Sequence, residues 1–297
     1  MDLRYDKPMS TLSRRNFVVG TAAMLPIAKA AFGREPLSAS NLGVQLYTVR
    51  NTITKNPETV LKAIQDIGFK EIEAVYATLD QIGPALKQTK LEPVSVHVDT
   101  AIFMEGGGKL DEAIAKVKQF GFQYIVVPYI PPAQRGGAEV FKKLAAVLNT
   151  SGEKAKAAGL KLCYHNHAFE FEKQSGGSGL EIMMKETHKD LVFLELDIFW
   201  VSVAGNDPVS LLKKYSGRIP LLHLKDKASG IATQYNEKVP KETFKEVGNG
   251  SLDMPAVLAA AKRENVHHYF VEQDQTAGDP LDSLRQSYKY LSGRFAS

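Results

Sequence analysis

The chain has 297 residues, 37 Lys and Arg against 33 Asp and Glu, 44% hydrophobic residues and one cysteine. That length holds one large domain or two ordinary ones, and the apolar share is enough for a buried core, which excludes a wholly disordered chain. A lone Cys163 excludes internal disulfides and Cys-rich zinc modules. The formal charge of +4 is uneven: residues 1–30 carry five basic and two acidic side chains, and the remaining 32 basic residues face 31 acidic ones. A body so close to neutral argues against nucleic acid as a main partner.

The leader reads as an address. Adjacent Arg14 and Arg15 precede a modest apolar stretch from Val18 to Ala28, and Ala28-Lys29-Ala30 offers small residues for cleavage. This resembles a twin-arginine export signal over residues 1–30, which implies the export machinery as a partner and a periplasmic or extracellular mature protein over 31–297. The apolar stretch falls short of the roughly 20 residues that span a bilayer.

Beyond the leader, short β-rich runs alternate with helical spacing. Gly43–Tyr47 is the first strand. A helix follows, capped by Asn56, with Pro57 at its first position, Val60, Leu61, Ile64 and Ile67 on one face, and Gly68 as its stop. Then come strand Glu71–Val75 and a helix around Leu79–Lys87, strand Val94–Val98 and a helix around Leu110–Phe120, and strand Tyr124–Val127 and a long helix around Ala138–Ala158. Strand Lys161–His165 precedes a helix around Leu180–Thr187, Val192–Asp197 precedes one near Pro208–Tyr215, and Leu221–Leu224 precedes one around Met254–Glu264. The last pair is His268–Glu272 and Pro280–Leu291, and residues 226–253 form the longest helix-poor loop. Eight strand–helix units in about 250 residues predict a single-domain (β/α)8 TIM barrel. An open doubly wound sheet would carry a glycine-rich turn after its first strand, where this chain has Thr48-Val49-Arg50-Asn51.

The ends of four successive strands are polar: His165 and His167, then Asp197, then His223 and Lys225, then Glu272 and Asp274. Alternation puts residues two apart on one face, so His165 with His167, Glu195 with Asp197, and His223 with Lys225 face alike. A barrel collects such ends at one rim, and charges there are costly unless paired or bound to metal. His165, Asp197, His223 and Glu272 are therefore the candidate ligands of one divalent ion, and mixed nitrogen and carboxylate donors suit Mn, Co, Zn, Fe or Mg.

Gly43–Arg50, Tyr164-His165-Asn166-His167-Ala168-Phe169-Glu170-Phe171, Glu195-Leu196-Asp197, His223-Leu224-Lys225-Asp226 and Val271-Glu272-Gln273-Asp274 together resemble the xylose-isomerase-like TIM-barrel superfamily. More narrowly they resemble its exported sugar phosphate isomerase/epimerase branch. The resemblance implies isomerisation, epimerisation or dehydration of a small-molecule sugar or keto-glycoside on one metal held at strands five to eight. It matches Asp197, His223 and Glu272 to ligand positions. Many relatives carry Glu-Asn-His where this chain has His165-Asn166-His167, so a carboxylate is missing there, and Glu170 is the candidate to fold back and supply one. Trp200 stands where epimerase-type relatives have a His, and is read as an apolar wall for a sugar ring. A nuclease on the same barrel needs more His and Asp ligands, and a non-catalytic sugar-binding barrel is the remaining alternative.

The expected chemistry is proton removal next to a carbonyl, giving an enediolate that is reprotonated or loses a β-substituent. Glu272 and Glu170 are the candidate carboxylate bases and His167 a candidate proton donor. Lys225 either stabilises an enolate or pairs with Glu195. Gln45, Tyr47, Glu73, His97 and Trp200 are candidate substrate contacts; the first four read equally as hydrogen-bonded interior residues, and for Gln45 the interior reading is favoured. Gly248-Asn249-Gly250 has two readings, a phosphate cradle or a loop shaping the entry to the helix at Met254, with Ser251 or Asp253 as its cap. Export and the absence of an Arg/Lys cluster point to an unphosphorylated substrate.

Overall fold

The computed structural model describes residues 42–295, and the leader expected over residues 1–30 lies outside them. Eight parallel strands close into a barrel: β1 (Leu42–Gln45), β2 (Glu71–Val75), β3 (Glu92–His97), β4 (Tyr124–Val127), β5 (Lys161–His165), β6 (Val192–Asp197), β7 (Leu221–Leu224) and β8 (His268–Val271). Each strand pairs with its neighbours in chain order, and β8 closes on β1 through Gly43 opposite Phe270. The principal helices are α1 (Pro57–Ile67), α2 (Leu79–Leu86), α3 (Gly107–Gln119), α4 (Gly137–Ala157), α5 (Gly179–Glu186), α6 (Pro208–Lys214), α7 (Met254–Arg263) and α8 (Pro280–Phe295). One follows each strand, as the alternation predicts.

Local chemistry sets the differences from expectation. The first strand stops at Gln45, whose side chain accepts a hydrogen bond from the Tyr47 N–H at 3.0 Å and turns the chain into a 3-10 helix, Leu46–Val49. Tyr47 therefore does not share a strand face with Gln45; its ring is exposed and stacks under the Arg50 guanidinium. Asn56 precedes α1 without a side-chain cap, and Pro57 and Gly68 bound the helix as expected. The third strand starts two residues early, and a helix capped by Asp99 (Thr100–Glu105) is inserted before α3. The eighth strand ends at Val271, one residue before Glu272. Inside the loop over residues 226–253, Asp226–Lys227 pairs antiparallel with Phe244–Lys245.

Outward strand residues such as Val44, Ile72, Leu162, Leu194 and Leu222 join the helices in the main core. The lumen holds a separate, smaller cluster: Val94, Tyr124, Val126, Cys163, Leu221 and Phe270, with Phe193 against it. Cys163 is thus core, beneath His165. This plug fills the lower barrel, so the polar residues above it have an apolar floor. Gly43 makes room for the plug, because a Cβ there would sit 2.7 Å from the Phe270 ring and 2.9 Å from the Glu71 carbonyl oxygen. Gly43→Val is expected to lower stability by about 1–3 kcal/mol through overpacking, read from denaturant melts. An unchanged midpoint would show that Phe270 has another rotamer to adopt.

Candidate metal centre

The C-terminal ends of β5 to β8 bring the four expected ligands together. His165, Asp197, His223 and Glu272 each offer a ligand atom within 4.8 Å of the others and are all buried; Asp197 Oδ2 is 3.2 Å from His165 Nε2 and 3.8 Å from His223 Nδ1, which is 3.0 Å from Glu272 Oε2. His165 Nδ1 lies 3.2 Å from the Pro128 carbonyl and Nε2 3.2 Å from Asp197 Oδ2, so an ion bound at the centre would take Nε2 while Nδ1 donates to the carbonyl. Asn166 fastens β5 to β6: its Oδ1 accepts from the Asp197 N–H at 3.0 Å and its Nδ2 donates to the Asp197 carbonyl at 3.3 Å. Asp197 Oδ1 caps the helix Ile198–Val203 through the Phe199 and Trp200 N–H groups at 2.9 and 3.1 Å, which leaves Oδ2 directed at the centre.

Lys225 pairs with carboxylates other than Glu195. Its Nζ, 1% exposed, lies 2.9 Å from Asp197 Oδ2, 2.5 Å from Glu272 Oε2 and 3.0 Å from Asp274 Oδ2. Burial opposes ionisation of Asp197 and Glu272, but the Lys225 charge and the neighbouring histidines outweigh it and hold both carboxyls well below the usual range. Asp274 differs. Burial raises it, with Lys225 opposing, and it is the most exposed of the three partners at 23%.

Glu170 does not fold back into this group. The side chain next to His165 on β5, Tyr164, points to the opposite face, and its hydroxyl donates to Glu170 Oε1 at 2.6 Å. The other oxygen accepts the His167 N–H at 2.9 Å. Burial pushes Glu170 up to about 8 despite these bonds. Its place is behind the strand-five end, where it positions His167. The His167 ring stands edge-on to His165 and Tyr129, 4.9 Å from each, and at 5.4 Å from Trp200. Burial, with His165 and Lys225 adding, pushes its imidazole well below its ordinary value, so it is neutral near pH 7. Trp200 is 3% exposed and packs on Phe199 and Phe244, forming an apolar wall. His167 Nδ1 and Trp200 Nε1 are both buried with no hydrogen-bond partner.

Glu73 and His97 lie in a second ring with Glu195 and the other nitrogen of His223, and Gln45 borders it. Gln45 Nε2 donates to Glu73 Oε1 at 2.6 Å, so Gln45 is a hydrogen-bonded interior residue. Burial alone would lower the His97 imidazole, but the Glu73 and Glu195 carboxylates push it up to about 10. An unfolded imidazole titrates near pH 6.5. In chelator-treated protein this stabilisation is therefore complete below about pH 6.5 and lost progressively up to about pH 10. Thermal midpoints are expected to fall over that window, and His97→Gln to flatten the fall.

The Gly248-Asn249-Gly250 loop cradles an anion of its own. Asp226 Oδ2 accepts from the Gly248 and Gly250 N–H groups at 3.0 and 3.1 Å, and Oδ1 from Lys227 and Leu252 at 2.8 and 3.1 Å. The loop-shaping reading holds, and Asp253 caps α7 through the Ala256 N–H.

A family model for the xylose isomerase-like TIM barrel matches residues 61–292. The chain belongs to the xylose isomerase-like TIM barrel family. Among solved members of this fold, a sugar phosphate isomerase/epimerase from Parabacteroides distasonis superposes with TM-score 0.73 at 20% identity, covering 89% of this chain and 98% of that one. The IolI protein with a bound zinc atom superposes with TM-score 0.65 at 17% identity, covering 86% and 99%. At these identities the likeness is one of fold. An inosose dehydratase of Clostridium perfringens is 29% identical over 163 residues, 52% of this chain and 54% of that protein. The chain spans about half the length of the curated relatives it matches.

The donor chemistry of this family barrel fits a divalent ion. Asp197 and Glu272 present carboxylate oxygens beside two imidazole nitrogens, a set that suits Mn, Fe, Co or Zn better than Mg. The sequence faces Glu195 inward with Asp197 and offers it to Lys225, but assigns neither Glu195 nor Asp274 a role as ligand or base. For Asp274 the available signal is the same parity, since it lies two residues after Glu272.

Proposed function

We propose that this chain is a divalent-metal-dependent sugar isomerase or epimerase, acting on an unphosphorylated keto sugar or keto-glycoside through an enediolate. The observation that carries this reading is the convergence of His165, Asp197, His223 and Glu272 on one point at the barrel rim, with Lys225 beside them. A divalent ion held there supplies Lewis-acid polarisation of a carbonyl. The chain's own residues supply the rest. Lys225 is the buried ammonium nearest the ligands and stabilises the developing oxyanion. Glu272, held well below the usual carboxylate range, serves as a ligand rather than a base. We assign proton removal to Asp274, which sits nearer solvent on the same lysine and is raised by burial. Neutral His167 offers its unpartnered Nδ1 to a substrate hydroxyl, and Trp200 its unpartnered Nε1–H. Tyr47, Met104 and Tyr235 are the exposed large apolar side chains among the described residues, and they follow β1, β3 and β7 at the same end of the barrel. Exposed tyrosine and methionine side chains of this kind suit the apolar faces of sugar rings.

The unphosphorylated substrate rests on two supports. The first is the proposed twin-arginine export of residues 1–30, since charged sugar phosphates stay in the cytoplasm. The second is the Gly-Asn-Gly loop, whose N–H groups Asp226 already takes. Elimination is the second reading, favoured by the inosose dehydratases among the relatives: the same proton is removed and a β-substituent departs. The test is metal content by mass spectrometry, followed by solvent deuterium incorporation into bound ketoses. Wild type is expected to bind metal and exchange, Asp274→Asn to bind metal without exchanging, and Glu272→Gln to lose metal. Product analysis separates epimer from dehydrated sugar. Metal-loaded protein that binds ketoses without exchange would overturn the enzyme reading and leave a sugar-binding barrel.

A further inference from the structure

Below the rim, four strands that face one another across the lumen contribute Glu73 from β2, His97 from β3, Glu195 from β6 and His223 from β7. Nitrogen and oxygen alternate around this ring. His97 Nε2 is 3.0 Å from Glu73 Oε1 and 2.7 Å from Glu195 Oε2, and His223 Nε2 is 2.6 and 3.4 Å from the same two oxygens. We propose that this ring is a second, closed site for a divalent transition-metal ion, distinct from the rim centre and sharing only His223 with it.

Geometry comes first. A tetrahedral ion with bonds of about 2.0–2.1 Å holds its ligand atoms roughly 3.3 Å apart. Of the ring edges of 2.6–3.4 Å, the longest already has this spacing and the shortest needs to open by about 0.7 Å to enclose one. Charge comes second. Two carboxylates with two neutral imidazoles carry −2, which one divalent ion cancels. Among the described residues, the ion pairs of Glu73 and Glu195 are to His97 and His223, while the nearby Lys225 pairs with Asp197, Glu272 and Asp274. Two protons on the imidazoles are the alternative neutralisation, so ion binding releases protons.

The surroundings are those of a built site. Gln45 and Ser95 both donate to Glu73 and fix its carboxylate. Glu195 Oε1, in a residue with no exposure at all, has no hydrogen-bond partner, so this buried carboxylate lacks the compensation that a cation in the ring would give it. With four protein donors and an apolar plug below, the site has no open position, which makes its role structural. It ties β2 and β3 to β6 and β7 across the lumen. When both sites are filled, His223 gives Nε2 to the inner ion and Nδ1 to the outer one, and its last ring proton passes to solvent.

The experiment loads the full chain with Co(II), removes excess and counts bound ions by native and elemental mass spectrometry. Circular dichroism checks the fold of each variant. Wild type is expected to hold about two equivalents, Glu195→Gln one, and Asp197→Asn one. Glu73→Gln is the second inner variant, should Glu195→Gln not fold. One equivalent in wild type, kept by both inner variants and lost in Asp197→Asn, overturns the inner site and leaves the rim centre standing. One equivalent lost in the inner variants and kept in Asp197→Asn supports the inner site and overturns the rim centre of the proposed function. Loss of both ions in either inner variant shows one shared centre and overturns the two-site assignment. No binding in wild type overturns both.

Discussion

Asp197→Ala is expected to empty the rim centre and to be about 1–2 kcal/mol less stable than Asp197→Asn, which empties the centre but keeps the helix cap. The two oxygens of Asp197 do separate jobs. Oδ2 faces Lys225 at 2.9 Å and His165 at 3.2 Å. Oδ1 holds the first N–H groups of the helix Ile198–Val203. Alanine removes both, orphans the helix start and leaves Lys225 with two carboxylates in place of three. Asparagine keeps an oxygen for the cap and removes the charge that draws the cation. Denaturant melts and metal content on the same preparations separate the two effects. An asparagine variant as unstable as the alanine one would mean that charge, not capping, dominates the fold contribution.

Lys225→Met has the second large effect. The fully buried ammonium serves Asp197, Glu272 and Asp274 at once. Removing it strands buried carboxylates, and chelator-treated Lys225→Met is expected to be about 3–5 kcal/mol less stable, a fall of roughly 6–15 °C in melting midpoint. A divalent ion at the rim neutralises the same oxygens. Added Mn or Zn is therefore expected to raise the midpoint of the variant more than that of wild type. Equal shifts in both proteins would show that lysine and ion do not share carboxylates.

Much of this arrangement is legible in the sequence because parallel barrels impose two strong rules. Strand–helix alternation fixes the topology, and a period of two fixes which residues face the lumen. Those rules place His165, Asp197, His223 and Glu272 together from spacing alone. They fail where a single local bond overrides them. Tyr47 leaves the strand because Gln45 bonds to its N–H, and Glu170 faces away because Tyr164 and the His167 N–H claim both oxygens. Long-range pairs carry no local signal: which carboxylate Lys225 would choose depends on side-chain reach across β6, β7 and β8. The inner ring is a compound case. Parity puts Glu195 inward, but only closure of the barrel brings it to Glu73 and His97.

The Asp226 carboxylate has a consequence for how specificity arises in such loops. Any anion entering the cradle of Gly248, Gly250, Leu252 and Lys227 N–H groups must displace a competitor fastened to the same chain. A tethered competitor acts at an effective concentration in the millimolar range or above, so phosphate well below that level is expected to leave the cradle to Asp226. The exclusion depends on one side chain. Shortening Asp226 to glycine would remove the one carboxylate that holds these four N–H groups and leave the turn without its own anion.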